Sequence, residues 1–365
     1  MGRYIALFKE RGFHPFLWAQ FLGAFNDNAY KIVISMVAVN LIGDDGAGGW
    51  ILSLIGALFI LPFFLFSGYA GHLADIYDKQ RVLIYTKSFE IVAMSLAFFS
   101  LRSGEIALML GVLFLMALQS TFFSPAKYGI LPEIFPDKDL SRANGLLGMS
   151  TFVAIILGTS LGSFLFSIWK DRLGWVALVL IMIAVIGTVT SFGITRVPPS
   201  GARKPFRLNP WGEILHGVKR LYSEKPLWIT VLGISYFWFL GALVQMDILL
   251  LGSETMGLDD LRIGLMVTFL AIGIGIGSLV TGRLSGDKVE LGLVPLGSIG
   301  IGVFSIATFL STRSYVAVVI FLILLGFSGG VFIVPLQAFL QQKSGREEKG
   351  LLISTNNFIN TFGVL

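Results

Sequence analysis

Ten apolar blocks of membrane-crossing length follow one another along this chain, and an eleventh begins before its last residue. They cover 15–42, 50–74, 83–101, 106–126, 146–169, 174–195, 227–251, 263–283, 291–311 and 316–339, then 350–365. About 20 largely apolar residues are needed for a helix to cross the hydrocarbon layer. Within that layer a helix satisfies every backbone N–H and C=O internally, which an open sheet does not. The pattern predicts an all-α polytopic membrane protein. Charged residues make up 13% of the chain, against about 25% in a soluble domain. The eleventh block stops at Leu365 inside a membrane segment, so the chain reads as a fragment with a truncated second bundle.

There are no cysteines, which removes disulfides and thiolate metal sites, and His14, His72 and His216 are too scattered for a metal cluster. No metal or cofactor is expected. The start, MGRYIALFKERGFHPF, is basic but has no small-residue cleavage site, and Gly2 lacks the Ser or Thr of a myristoylation signal.

Lys and Arg set the orientation. With the N-terminus cytoplasmic, 20 of the 27 fall in inside segments, 5 in outside segments, and Lys31 and Lys87 within spans. The net charge of +5 is then a headgroup-facing property, and nucleic acid is not an expected partner. The longest polar stretch divides the chain into a first bundle (1–195), a cytoplasmic linker (196–226) and a second, incomplete bundle (227–365). Within the linker, Asn209 and Pro210 fit an N-cap and first helical position. Trp211, Ile214, Leu215 and Val218 then form an apolar face opposite Glu213, His216, Lys219 and Arg220, as in an interfacial helix. A simple polar connector is the alternative.

The halves echo each other. FLGA recurs at 21–24 and 239–242, FFSPAKYGIL (122–131) matches FIVPLQAFL (332–340), and NGLL (144–147) matches KGLL (349–352). Matches in this order predict two related six-helix bundles with the same orientation, the plan of a major facilitator transporter.

GYAGHLADIYDKQR (68–81) resembles the major facilitator signature between helices two and three, with Gly71, Asp75, Lys79 and Arg81 in place; Ile76 and Asp78 depart from it. FSPAKYGILPEIFPDKDLSRANGLLGMSTFVAIILGTSLG, QFLGAFNDNAYK and GGVFIVPLQAFLQQKSGREEKGLLISTNNF together resemble the bacterial lysophospholipid transporters of that superfamily. The resemblance implies carriage of lysophospholipids such as lysophosphatidylethanolamine across the bacterial inner membrane to its cytoplasmic leaflet. Reacylation there would fall to an acyltransferase and acyl-carrier synthetase, fused or separate. The His-x4-Asp motif of such acyltransferases is absent, since Ala19, Tyr77 and Leu221 stand five residues after the three histidines. The residues given therefore read as a transporter and not as an enzyme. A cation-coupled drug antiporter and a membrane anchor for an acyltransferase are the competing readings.

Asp27 is the first candidate site residue, because an acid near a helix centre costs about 3 kcal/mol to insert. The resemblance gives an Asp in a DNA triplet of the first helix as a signature, here Asp27-Asn28-Ala29. Asp27 would meet an ammonium headgroup or a coupling cation, with Asn26 and Asn28 shaping its hydrogen bonds. Alternatively Asp27 and Lys31 neutralise each other at i, i+4. Lys127 is placed to meet a phosphate or to anchor the inner interface. Gln245 and Asp247 would line the second half or lie near the outer interface. Gly71, Asp75, Lys79, Arg81, Glu133 and Arg142 are candidate gate contacts, Asp75 either latching a facing helix or remaining a solvated loop acid. Lys87 and Glu90 at i, i+3 read as a structural pair, and GIGIG (273–277) as helix packing and not a nucleotide loop.

Overall fold

The computed structural model describes residues 2–42, 48–199, 201 and 209–364, and every regular element among them is helical. The short α1 (Gly2–Lys9) precedes α2 (Phe13–Ile42), α3 (Gly48–Ile76), α4 (Lys79–Ser103), α5 (Ile106–Ile134), α6 (Asp137–Ile168) and α7 (Leu173–Ser191). After α8 (Pro210–Ser223) come α9 (Lys225–Leu250), α10 (Asp260–Leu284), α11 (Leu293–Leu310), α12 (Tyr315–Lys343) and α13 (Lys349–Val364). Each apolar block falls on one of α2–α7 or α9–α13. Residues 200 and 202–208 of the linker, with Arg203, Lys204 and Arg207 of the charge count, lie outside the described residues, as does Leu365.

Several helices outrun their apolar blocks at one end. α5 continues through Pro125 and Pro132 to Ile134, α6 begins at Asp137, and α12 runs to Lys343. Membrane helices tolerate internal proline because neighbouring groups re-satisfy the freed carbonyls. Among the described residues, nine helices are long and apolar enough to cross a membrane. α2, 30 residues long, is not among them. Asn26, Asp27, Asn28 and Lys31 dilute its hydropathy.

Helix ends follow polar punctuation. Asp78 caps α4 by accepting from the Gln80 N–H, Asp259 caps α10 through Arg262, and Asn209 caps α8 through Trp211 and Gly212. Gly104 closes α4 at φ +74, a left-handed conformation that costs glycine little.

Corresponding helices make corresponding contacts. α2 packs on α6, α3 on α5 and α4 on α5; in the second run α9 packs on α13, α10 on α12 and α11 on α12. Small residues permit the close crossings. A side chain at Gly158 or Gly162 would strike the Phe25 or Ala29 backbone of α2, and one at Gly273 or Gly277 the Ile323 or Phe327 carbonyl of α12. GIGIG is thus a helix-packing stripe.

α8 forms at the place expected for the linker helix, with Asn209 as its cap and Pro210 first. It packs on α3, α9 and α13, where a side chain at Gly217 would strike Thr355. Its buried face is Glu213, Ile214, Gly217 and Leu221, while Trp211 and Leu215 are exposed. Trp211, though partly exposed, meets the Phe64 ring of α3 and the Phe358 ring of α13, with centroids 5.0 and 5.7 Å away.

Candidate functional site

One stripe of α5 organises the polar interior. Ser120, Ser124, Lys127 and Tyr128 follow at helical spacing, so they share a face. Ser120 Oγ donates to Asp27 Oδ2 on α2 at 2.6 Å. Asn357 Nδ2 on α13 donates to Ser124 Oγ at 2.8 Å, and Tyr128 lies beside Gln337 on α12. The stripe thus connects the two helical runs, with the Asp27 carboxylate on its first residue. Asp27 is buried, its Oδ1 has no hydrogen-bond partner among the described residues, and the Glu90–Lys87 pair and the Lys31 and Lys127 ammonium groups all lie within electrostatic range. With Lys87 and Glu90 neutralising each other, one acceptor and the two other cations at a helix seam suit a zwitterion, or a phosphate beside an ammonium.

The residues beside Asp27 face in different directions. Asn26 points away from Asp27: its Nδ2 donates to Glu90 Oε1 at 3.0 Å and to the Leu180 carbonyl at 3.2 Å. One residue is about 100° of helix, which turns Asn26 into the first bundle, where Lys87 and Glu90 form a fully buried ion pair. Asn28 donates to the Ala24 carbonyl of its own helix at 2.8 Å. Lys31 stands over the Phe59 ring, 5.2 Å from its centroid, instead of pairing with Asp27. Gln245 and Asp247 are exposed near the C-terminal end of α9, just before a π-helical turn (Leu251–Thr255), and join none of these bonds.

The gate candidates gather at the end where the chain begins. Asp75, fully buried, accepts the backbone N–H groups of Gly350 at 2.5 Å and Leu351 at 3.1 Å, at the N-terminus of α13. A carboxylate there meets unsatisfied N–H donors and the positive end of the helix dipole. A side chain at Gly71 would strike Ser354. Arg142 at the start of α6 bonds Asp139 at 2.8 Å, the Gly286 carbonyl, and Asp287 at 3.3 Å beyond the end of α10. Lys79 pairs with Glu133 at 2.6 Å, both buried. Arg81 is not part of this latch; it is exposed on the outer face of α4, because two positions along the helix from Lys79 points it the other way.

Sequence reading missed the amide pair between Asn144 on α6 and Gln341 on α12, which exchange two 2.8 Å hydrogen bonds while buried. It also missed Ser120, Ser124, Tyr128, Gln337 and Asn357. A period-four row of polar residues within an apolar span was the available signal. Cavities of about 540 and 470 Å³ lie on the flanks of the bundles, and neither is lined by Asp27.

Residues 16–365 match the family model described as Major Facilitator Superfamily. The chain belongs to that superfamily. Within it, the chain is a member of the lysophospholipid transporter family, being 31% identical over 349 residues to the lysophospholipid transporter LplT of Photorhabdus laumondii, with 93% of this chain and 82% of the relative covered. The proteins of the same name from Klebsiella pneumoniae strain 342 and Escherichia coli SE11 are 28% and 27% identical, with 92% and 93% of this chain and 81% and 82% of the relatives covered. Solved structures share the major facilitator fold. The human organic anion transporter MFSD10 (TETRAN) aligns with TM-score 0.76 and 17% identity over 96% of this chain and 91% of its own. FucP in the outward conformation aligns with 0.72 and 15% over 96% and 89%.

Proposed function

We propose that this major facilitator protein carries lysophospholipids, such as lysophosphatidylethanolamine, across the bacterial inner membrane to the cytoplasmic leaflet by alternating access. The observation that carries the reading is the buried Asp27 carboxylate, held by Ser120 with one oxygen unpartnered among the described residues, and with Lys31 and Lys127 in range besides the Lys87 that Glu90 already holds. Asp27 receives the headgroup ammonium or a coupling cation, and Lys127 and Lys31 receive the phosphate. The relatives' printed names supply the substrate class.

The unequal distribution of Lys and Arg supports a cytoplasmic N-terminus. The Asp75, Arg142 and Asn144 contacts then close the cytoplasmic end, the arrangement of an outward-facing state. The chain divides into a first bundle (1–195), a linker containing α8 (196–226) and a second bundle (227–365), the bundles rocking about the α3–α13 and α6–α10 seams. An acyltransferase with an acyl-carrier synthetase, fused or separate, consumes the delivered lipid.

The test is flipping of labelled lysophosphatidylethanolamine in spheroplasts by the wild-type chain and Asp27→Asn at matched membrane levels. Loss of flipping in Asp27→Asn is expected. Unchanged flipping overturns the role of Asp27, and intact flipping with loss of proton-linked efflux of a lipophilic cation assigns the acid to antiport instead.

A further inference from the structure

The 540 Å³ cavity opens between α3 and α4, which both pack closely on α5 but only weakly on each other. Its volume falls within the range of ligand sites. Tyr77, Arg81 and Tyr85 stand at its mouth, Leu73 and Phe89 form its walls, and the buried Gln119 lies on its α5 floor. From Arg81 to Phe89 the groove descends eight residues of α4, about 12 Å into the apolar zone.

Charge selects the occupant. The nearby Arg196 is already committed to Asp78 at 2.9 Å. The Arg81 guanidinium is exposed at the Lys- and Arg-rich end, where Tyr77 and Tyr85 provide the amphipathic rings typical of a membrane interface. A guanidinium above an apolar slot fits a phosphate with an acyl chain below it, and its planar fork binds phosphate oxygens in pairs.

We propose that this groove is a resident-lipid site, separate from the transport site, that holds an anionic diacyl phospholipid of the surrounding bilayer with its phosphate on Arg81 and one acyl chain along Phe89. The site has a route to the transport machinery: Gln119 on its floor lies 3.1 Å from Ser120 Oγ, a second acceptor for the single hydroxyl proton that Ser120 donates to Asp27 at 2.6 Å.

The experiment uses the full chain, delipidated in detergent and incubated with equimolar phosphatidylglycerol and phosphatidylcholine, with retained lipid counted by native mass spectrometry. Wild type retains phosphatidylglycerol over phosphatidylcholine by about fivefold, the value of one basic residue near a charged headgroup. Arg81→Gln abolishes the preference and Arg81→Lys keeps it. Asp27→Asn also keeps it, which separates this result from that of the transport reading. No preference in wild type, an undiminished preference in Arg81→Gln, or stoichiometric displacement of the lipid by lysophosphatidylethanolamine would each overturn the proposal, the last by making the groove part of the substrate's route.

Discussion

Asp75→Asn tests the latch at nearly constant shape. The carboxylate accepts two backbone N–H groups at the start of α13. Asparagine offers one carbonyl oxygen and turns an N–H donor toward the other, so one charge-assisted bond is lost. Such a bond contributes about 1.5–3 kcal/mol, and loss of the charge facing a helix N-terminus adds about 0.5–1 kcal/mol. The cross-seam contact is therefore weakened by about 2–4 kcal/mol. Under the proposed closure these bonds exist only in the closed arrangement, so the closed-to-open ratio at this end is expected to fall by roughly 30- to 900-fold. Spin labels at Lys138 and Arg346, exposed residues on opposite sides of the junction, read this ratio through double electron–electron resonance. A new longer-distance population in Asp75→Asn is the expected result. A distance distribution identical to that of the parent would refute the assignment of closure energy to Asp75.

Other predictions concern polar groups within the bundles. Lys87→Met strands the buried Glu90 carboxylate and lowers stability by about 3–5 kcal/mol, whereas Lys87→Met with Glu90→Met recovers most of the loss; thermal unfolding in detergent measures both. In the Asn144–Gln341 pair, either single leucine substitution leaves a buried amide unsatisfied and costs about 1–3 kcal/mol. The double leucine variant should cost less than the sum of the singles, and additivity in the same assay would show that the two amides do not act as a pair.

The helices were legible because each span signals through about 20 consecutive residues, and the repeat because proline and glycine sit at matching positions of α5, α12, α6 and α13. Asp27 was legible as an acid in hydrocarbon. Its partner was not, since Ser120 is an ordinary residue in a membrane helix and becomes informative only once α5 lies beside α2. Asn26 shows the converse failure. Adjacent to Asp27 in sequence, it points into the first bundle toward Glu90, because each helical residue turns the side chain by about 100°. Arg81 failed in the same way beside Lys79.

The latch was half legible, and its chemistry explains why. Asp75 lies in the signature stretch GYAGHLADIYDKQR and Arg142 in the charged stretch DKDLSR, so both could be named from the sequence. Their cross-seam partners include backbone groups: the N–H groups of Gly350 and Leu351 at the start of α13, and the Gly286 carbonyl in the turn after α10. No side-chain pattern marks a backbone acceptor or donor. The pairing is nevertheless matched in sign, with an anion at a helix N-terminus and a cation beyond a helix C-terminus, each lowering the energy of the helix end it meets. The glycines make this possible, since a side chain at Gly145 or Gly350 would be within 2.5 Å of a backbone oxygen across its seam, Ser278 in α10 or Gly71 in α3. NGLL and KGLL thus repeat because each places a glycine where one bundle must touch the other. Substituting alanine at Gly145 and at Gly350 should each open the same end of the protein, through different seams.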